Sequence, residues 1–184
     1  KNVELLDIAK LPSRRQKLRF LKMRTGDNDY IYFDCFDQVI ESPESLSVLL
    51  SSRRKSVGGD GLVLIEPSDV ADAAMRMYNA DGSQGEVSGN AMRCVGKYLY
   101  ESGRAPKINM KIETGSGVKD LLLYERDGSV YSVSVSMGQP DFCAASVPVL
   151  LKDPVIDAPV EIDGMKFEIT CVSMGNPHCV IFTE

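Results

Sequence analysis

The segment GNAMRCVGKYLYES at residues 89–102 constrains the fold of this chain more than any other. Its polar residues Arg93, Lys97 and Glu101 recur every four positions and would form one narrow stripe along a helix. Apolar side chains cover most of the remaining helical surface, namely Ala91, Met92, Val95, Tyr98 and Leu99. A helix that is apolar around most of its circumference has to be enclosed, and we expect a sheet to wrap around it.

Segments of strand character flank this helix on both sides. Before the helix they lie at 17–23, 30–36, 62–66 and 73–79, and after it at 107–114, 118–125 and 130–138. A further hairpin is expected over 159–175, because Asp163-Gly164 is a favoured two-residue turn. Short turns of this kind favour antiparallel pairing. The predicted fold class is therefore α/β (α+β), with an antiparallel-rich sheet rolled around a central helix at about 89–102.

A second helix is predicted over 42–55. Its start, Ser42-Pro43-Glu44, has proline at the first helical position and an acidic side chain in the first turn. Arg53-Arg54-Lys55 stands at the expected end, where basic side chains suit the negative pole of the helix dipole. This basic cluster and a similar one at 14–17 are short, so both predict solvated surfaces.

Charge and cysteine usage narrow the classes of function. The 184 residues carry a net charge of −5 without a lysine or arginine stripe, which argues against a nucleic acid as a partner. No window reaches the roughly 18 apolar residues of a membrane helix, and no signal peptide is visible, so we expect no membrane partner. The five cysteines are odd in number and contain no Cys-x-x-Cys pair, which predicts reduced thiols in a cytoplasmic protein and no metal site.

Four loops carry the candidate chemistry, and each contains an asparagine: 26–29, 79–83, 88–90 and 175–178. An asparagine side chain offers both a donor and an acceptor, which suits a zwitterionic ligand. Gly89-Asn90 would leave backbone N–H groups free at the start of the central helix, ready for a carboxylate. Taken alone, each loop is also typical of an ordinary turn, because asparagine and glycine are common turn residues. His178, the one histidine, follows Asn-Pro in a turn and is either structural or catalytic.

Three stretches are distinctive in combination: MYNADGSQGEVSGNAMRCVGKYLYE at 77–101, GGDGLVLIEPS at 58–68 and VSMGNPHCV at 172–180. Together they resemble the diaminopimelate epimerase family, and the resemblance runs from about Leu18 to Phe182. It implies a fold of two pseudo-symmetric lobes, each a sheet rolled around a central helix.

The resemblance also implies an activity. Such enzymes interconvert LL- and meso-diaminopimelate in lysine and cell-wall precursor synthesis. They use two bases, one on each face of the α-carbon, and neither pyridoxal phosphate nor a metal. The expected partner is therefore the small-molecule amino acid, no cofactor is expected, and a homodimer is compatible with this assignment.

The resemblance assigns roles to individual residues. Asn28, Asn79 and Asn176 match asparagines that hold the substrate. Gly89 and Asn90 match the backbone pair that grips the carboxylate of the reacting centre. Two more positions are catalytic by resemblance: Ser88, which stands where the family has its first catalytic cysteine, and His178, which matches a histidine beside the site.

The same resemblance divides the chain. Residues 17–140 are expected to form the first lobe, and 141–184 the start of a second lobe, which we expect to be incomplete. Residues 1–16 are expected to be an N-terminal extension.

Ser88 predicts an impaired enzyme. A cysteine thiol has a pKa near ~8.5 and becomes a base with modest help, whereas an aliphatic alcohol titrates close to water, at about 15.7. A helix dipole contributes only ~1–2 kcal/mol, about one pKa unit, which is too little to ionise Ser88. The expected absence of half the site reinforces this conclusion.

Other departures leave alternatives open. Arg24 and Asp27 bring charge to the first loop, where the family has small or apolar residues, so a related racemase or isomerase for another amino acid is a second hypothesis. A third is a non-catalytic homologue that binds a zwitterion or a protein. A serine hydrolase built on Ser88, His178 and Asp81 is the last, although no Gly-x-Ser-x-Gly motif surrounds Ser88.

Overall fold

The computed structural model describes residues 17–183, and the chain divides after Ser136 into two compact units. The N-terminal extension expected at 1–16 lies outside the described residues. Among the helices in the described range, none is long and apolar enough to cross a membrane.

The first unit contains one sheet of eight strands and two helices. In chain order they are β1 (Leu21–Thr25), β2 (Asn28–Asp34), α1 (Pro43–Ser51), β3 (Gly61–Glu66), β4 (Ala73–Asn79), β5 (Gln84–Gly85), α2 (Gly89–Glu101), β6 (Asn109–Thr114), β7 (Gly117–Arg126) and β8 (Ser129–Val135). The strand order is β1-β2-β3-β4-β6-β7-β8, with β5 paired to β4. The β2–β3 and β4–β6 pairs are parallel and the other neighbours are antiparallel, which confirms the predicted antiparallel-rich sheet.

Helix α2 is the predicted central helix. It packs against β1 and β2 near one end of the strand order and against β7 and β8 at the other. A single helix can touch both ends only if the sheet curls around it, so the rolled architecture is confirmed. Six residues of α2 are buried, namely Ala91, Met92, Cys94, Val95, Gly96 and Leu99.

The sheet is covered on its other face by α1, which packs against β3 and β4. Between them lies a cluster formed by Ile31, Phe33, Leu62, Leu64 and Tyr78. Because helices cover both faces, residues 30–33 of β2 and 61–65 of β3 are buried without interruption. This enclosure explains their continuous apolar runs, which differ from the alternation of a half-exposed strand.

Helix α1 ends earlier than the sequence predicts. It covers Pro43–Ser51, so the prediction of a helix to residue 55 is wrong, and no basic side chain lies in its last turn. The chain turns back after the helix, and the amides of Gly58 and Gly59 donate to its last two carbonyls at 2.8 and 3.1 Å. Gly58 has a φ of +77°, a left-handed conformation that glycine adopts without strain.

The second unit is a three-stranded antiparallel sheet with a short 3-10 helix, Ala144–Ser146. Its strands are β9 (Ala158–Ile162), β10 (Met165–Ser173) and β11 (Pro177–Ile181), in the order β11-β10-β9. The predicted hairpin is confirmed, and Asp163 and Gly164 have φ values of 51° and 79°, as a tight hairpin turn requires.

Strand β11 was not predicted from the sequence. His178 was expected in a turn, and this expectation is wrong, because His178 pairs with Val172 inside the β10–β11 ladder. Asn-Pro is a common turn signal, and Pro177 is tolerated here at the first position of a strand.

Burial of α2 generates a stability prediction. Leu99 is fully buried and Leu49 of α1 is 45% exposed, so the two leucines form a matched pair on helices. Leu99→Ala should lower the free energy of unfolding by about 2–5 kcal/mol, through lost burial and a cavity. Leu49→Ala should lower it by less than about 1 kcal/mol. Urea unfolding followed by circular dichroism measures both, since the chain has no tryptophan. Equal losses of unfolding free energy in the two variants would contradict the buried packing of α2.

Candidate active site

The start of α2 is built on Ser88. Its backbone is extended, with φ −138° and ψ 116°, and its Oγ accepts a hydrogen bond from the amide of Ala91 at 3.2 Å. Its carbonyl accepts from the amide of Met92 at 2.9 Å. Serine is a favoured N-cap residue for this reason, because a short side-chain oxygen satisfies an amide of the first turn. The side chain predicted at the catalytic position therefore caps the helix.

Two amides of the same turn remain for a ligand. Gly89 and Asn90 are the first two helical residues, and their N–H groups have no acceptor within the helix. Both residues are half-buried, so they are accessible from one side. The partial positive charge of a helix N-terminus adds to these donors and favours a carboxylate or a phosphate.

The structure brings Asn28 and Asn90 together. Asn28 is the first residue of β2, directly after the two-residue turn Gly26-Asp27, and its Oδ1 accepts from Asn90 Nδ2 at 2.7 Å. Asn90 Oδ1 in turn accepts from the guanidinium of Arg93. Gly26 lies beside this pair, and a Cβ at that position would be 3.7 Å from Asn90 Nδ2.

The other end of the Asn28 amide is held by Asp60. Asn28 Nδ2 donates to Asp60 Oδ2 at 3.2 Å, and the Asp29 amide donates to the same oxygen at 3.0 Å. Arg53 bridges the Asp29 and Asp60 carboxylates with contacts of 2.6 and 2.7 Å, and Lys22 lies 2.7 Å from Asp29. We call these six residues the Asp60 network: Lys22, Asn28, Asp29, Arg53, Asp60 and Asn90. The network fixes which way the Asn28 amide points.

The charges in the network shift the titration of both acids. Hydrogen bonds from Arg53 and then Lys22 hold the pKa of Asp29 far below its usual range. Burial tends to raise the pKa of Asp60, but hydrogen bonds from the Asp29 amide, Asn28 and Arg53 outweigh burial and lower it. Both carboxylates are therefore ionised at neutral pH and act as fixed acceptors.

Asn79 lies at the same edge of the sheet. It ends β4 and pairs with Gly61 of β3, which in turn pairs with Tyr30 of β2. Its side chain is exposed, and Nδ2 donates to Ser83 Oγ at 2.9 Å. The hydroxyl of Ser83 donates to Asp81 at 2.6 Å, so the carboxylate considered for a serine hydrolase is engaged by its own loop.

Residues beneath the helix start were missed by the sequence reasoning. Burial raises the pKa of Tyr30, and the nearby Ser88 side chain opposes this rise. Cys94 is buried on α2, with Sγ 3.0 Å from Thr25 Oγ1. Burial, and then the nearby Cys94 side chain, raise the pKa of Tyr32. The alternation Tyr30-Ile31-Tyr32 on β2 was the available signal, because it places both hydroxyls on one face of the strand.

A cavity of about 590 Å³ opens on the flank of α2, between β1 and β8. Three basic side chains line it, those of Arg24, Arg93 and Lys97. Cys94 and Tyr131 also contribute to the lining. Arg93 therefore faces this cavity while it also donates to Asn90, and it connects the cavity to the helix start.

In the second unit, the structure brings Asn176 and His178 together. His178 is exposed on β11, and its Nε2 lies 3.0 Å from Asn176 Oδ1. Across residues 17–183, no group of three or more histidine, cysteine, aspartate or glutamate side chains could hold a metal ion.

Comparison with known families identifies relatives of the chain. The sequence model of the family described as "Diaminopimelate epimerase" matches residues 20–143. The curated diaminopimelate epimerase of Acetivibrio thermocellus is 46% identical over 168 residues, covering 91% of this chain and 60% of the relative. That of Methanococcus maripaludis strain C5 is 47% identical, covering 91% of this chain and 61% of the relative. The chain thus spans about three fifths of the length of the curated relatives it matches.

Solved structures share the fold at low sequence identity. A hydroxyproline epimerase from Agrobacterium vitis matches with a TM-score of 0.67 and 19% identity, over 88% of this chain and 50% of that one. A methylitaconate-delta-isomerase matches with a TM-score of 0.54 and 16% identity, over 89% of this chain and 52% of that one. These likenesses establish the fold alone.

The Asp60 network generates a prediction about pH. Both folded-state pKa values lie below the unfolded value of about 3.9, so the unfolded chain binds more protons in acid. The stability from these carboxylates should be complete above about pH 5 and lost as pH falls through the folded pKa values. An Asp29→Asn/Asp60→Asn variant should be less stable at pH 7 and should lose less stability on acidification.

Urea midpoints measured at a series of pH values between about 2 and 7 test this. The matched control is Asp127→Asn in the exposed β7–β8 turn, where asparagine tolerates the observed φ of 53°. Its pH dependence should match that of the unaltered chain. The role of the network would be contradicted if the urea midpoint of the double variant fell with decreasing pH as steeply as that of the unaltered chain.

Proposed function

This chain belongs to the diaminopimelate epimerase family, and from that premise we propose that it forms part of a cofactor-independent amino-acid epimerase. The proposed reaction interconverts LL- and meso-diaminopimelate by two-base proton transfer, as in lysine and cell-wall precursor synthesis. We further propose that the first unit is one lobe of such an enzyme and that the second unit begins the other. The protein would act in the cytoplasm on a free amino acid, and a homodimer stays a prediction.

The single observation that carries this proposal is the convergence at the start of α2. Two free backbone amides, at Gly89 and Asn90, lie beside the hydrogen-bonded side chains of Asn28 and Asn90. Amides and a helix dipole together favour a carboxylate, and the paired asparagines supply further donors and acceptors for a zwitterion.

In the proposed mechanism, the carboxylate of the reacting centre accepts hydrogen bonds from the amides of Gly89 and Asn90. Negative charge develops on this carboxylate when the α-proton leaves, so these donors would stabilise the transition state more than the ground state. Asn28 and Asn79 would orient the substrate from the first unit. Asn176 and His178 are assigned a substrate-binding and a supporting role on the strength of the family resemblance.

Ser88 supports the proposal of an impaired enzyme. Its Oγ accepts from the Ala91 amide and Tyr30 lies nearby, and neither neighbour is a base that could remove the serine proton. Burial raises the pKa of Tyr30, which keeps the phenol protonated at neutral pH. A thiol at this position would ionise several pKa units more readily than the hydroxyl.

Hydrogen exchange at the α-carbon tests the proposed function. In a protein of the relatives' full length, Ser88→Cys should increase exchange of the α-hydrogen of diaminopimelate with deuterated solvent by at least about 100-fold, the usual scale of an acid–base group. Ser88→Ala is the control and should show no gain. Nuclear magnetic resonance of the substrate measures the exchange.

Other outcomes would redirect the assignment. Exchange of a different amino acid, without exchange of diaminopimelate, would indicate the related racemase suggested by the charged side chains of Arg24 and Asp27. Ligand binding without exchange in the cysteine form would indicate a binding protein. Covalent labelling of Ser88 by a fluorophosphonate would indicate a hydrolase.

Asn28 generates a second prediction about the same protein. Asn28→Ala in the Ser88→Cys background should raise KM by about tenfold, because a substrate hydrogen bond and its orientation are lost. Asn109→Ala is the matched control, since Asn109 is an exposed asparagine on β6. Steady-state kinetics would contradict the proposed role if both variants kept the parent KM.

A further inference from the structure

Two cysteines of the second unit lie directly opposite each other. Cys171 on β10 and Cys179 on β11 are partners in the antiparallel ladder. The amide of Cys171 donates to the carbonyl of Val155 at 2.9 Å, on the β9 side of β10. Two residues on, Ser173 exchanges backbone hydrogen bonds of 2.8 and 2.9 Å with Asp141. The backbone hydrogen-bonding groups of Cys171 and Ser173 therefore point away from β11. Cys171 and Cys179 are thus a non-hydrogen-bonded pair of the β10–β11 ladder.

This class of pair brings side chains closest together. Directly opposite Cα atoms at such positions are about 4.5 Å apart, and their side chains stand on the same face of the sheet. Disulfides form across Cα separations of about 4.4–6.8 Å. Burial, and then interaction with the Cys179 side chain, raise the pKa of the Cys171 thiol. The backbone register therefore places the two cysteines within the range that a disulfide spans.

The two thiols differ in access to solvent. Cys179 is exposed on β11, whereas Cys171 is 1% exposed and packs in the core of the second unit. An external reagent therefore meets Cys179 first, and the buried partner is positioned to attack the product. Such an arrangement of an accessible and a resolving cysteine is the usual layout of a redox-sensitive site.

We propose that Cys171 and Cys179 form a redox-sensitive pair that a low-molecular-weight disulfide closes into a bond across β10 and β11. The Cys179 thiolate attacks oxidised glutathione, forms a mixed disulfide and releases one glutathione thiolate. Cys171 then loses its proton, attacks the Cys179 sulfur and releases the second glutathione. The two cysteine thiols are oxidised by two electrons in total, which reduce one glutathione disulfide to two thiols.

A disulfide between Cys171 and Cys179 would constrain the hairpin that joins β10 and β11. Residues 174–176 connect β10 to β11, and both Asn176 and His178 lie between the cysteines in sequence. A covalent bond at this position would close the loop that carries both residues. The proposal rests on the geometry of the second unit alone and stands independently of the proposed epimerase activity.

Chemical cleavage tests the proposal directly on this chain. Met174 is the one methionine between the two cysteines, and neither lysine nor arginine intervenes. After treatment of the native chain with oxidised glutathione, alkylation of free thiols and cleavage with cyanogen bromide, fragments 166–174 and the one beginning at Gly175 should remain joined. Their joint mass should be lower by two hydrogen atoms, and reduction should separate them.

Substitutions of single cysteines show which thiols take part in the linkage. Cys143→Ser removes the other exposed cysteine and should leave the linkage unchanged. Cys179→Ser changes an exposed side chain, so it should fold and abolish the linkage with Cys171 still reduced. Cys171→Ala should stop the reaction at a glutathione adduct on Cys179. The same oxidation in concentrated guanidinium chloride should form this pair in a smaller share of the molecules, because only the short loop between the two cysteines then favours it.

Three results would overturn the proposal. They are a lasting glutathione adduct on Cys179 of the unaltered native chain, two free thiols after treatment, and a linkage of either cysteine to Cys143. Each would show that the strands do not present these sulfur atoms to one another.

Discussion

The enclosure of α2 is the interaction on which the rest of the first unit depends. Its apolar surface leaves water only when β1–β2 and β7–β8, from opposite ends of the strand order, both fold over it. The approach is close at Gly96, where a Cβ would lie 2.8 Å from a methyl group of Leu121. Packing of this density fixes the position of the helix, and it thereby places the helix start against the β1–β2 hairpin.

That placement turns an ordinary helix start into a candidate carboxylate site. Exposed asparagine side chains can adopt several orientations, but Asn28 is held between Asp60 and Asn90, and Asn90 between Asn28 and Arg93. This series of hydrogen bonds has a charged acceptor at one end, the Asp60 carboxylate, and a charged donor at the other, the Arg93 guanidinium. The orientation of both amides is therefore set before any ligand arrives, which lowers the entropy lost on binding.

Folding and chemistry make different demands at Ser88. A helix start needs a short side-chain oxygen, and serine meets this need with its bond to the Ala91 amide. Proton abstraction from an α-carbon needs a group that ionises near neutral pH, and a hydroxyl does not. The fold is therefore intact at the position where the proposed acid–base chemistry is weakest, and membership of the family does not by itself establish turnover.

The sequence by itself determined the elements that depend on local interactions. The position of α2, the full extent of β4 and the Asp163-Gly164 hairpin agree with prediction, because helical periodicity, strand alternation and turn dihedrals are set within a few residues. The early end of α1, strand β11 and the contacts around Asp60 and Tyr30 were decided by the tertiary structure. Asn28 and Asp60 are 32 residues apart and Asn28 and Asn90 are 62 apart, so their meeting depends on the β2–β3 pairing and on the packing of α2. Such contacts depend on how distant segments pair, and no local pattern of residues specifies that pairing.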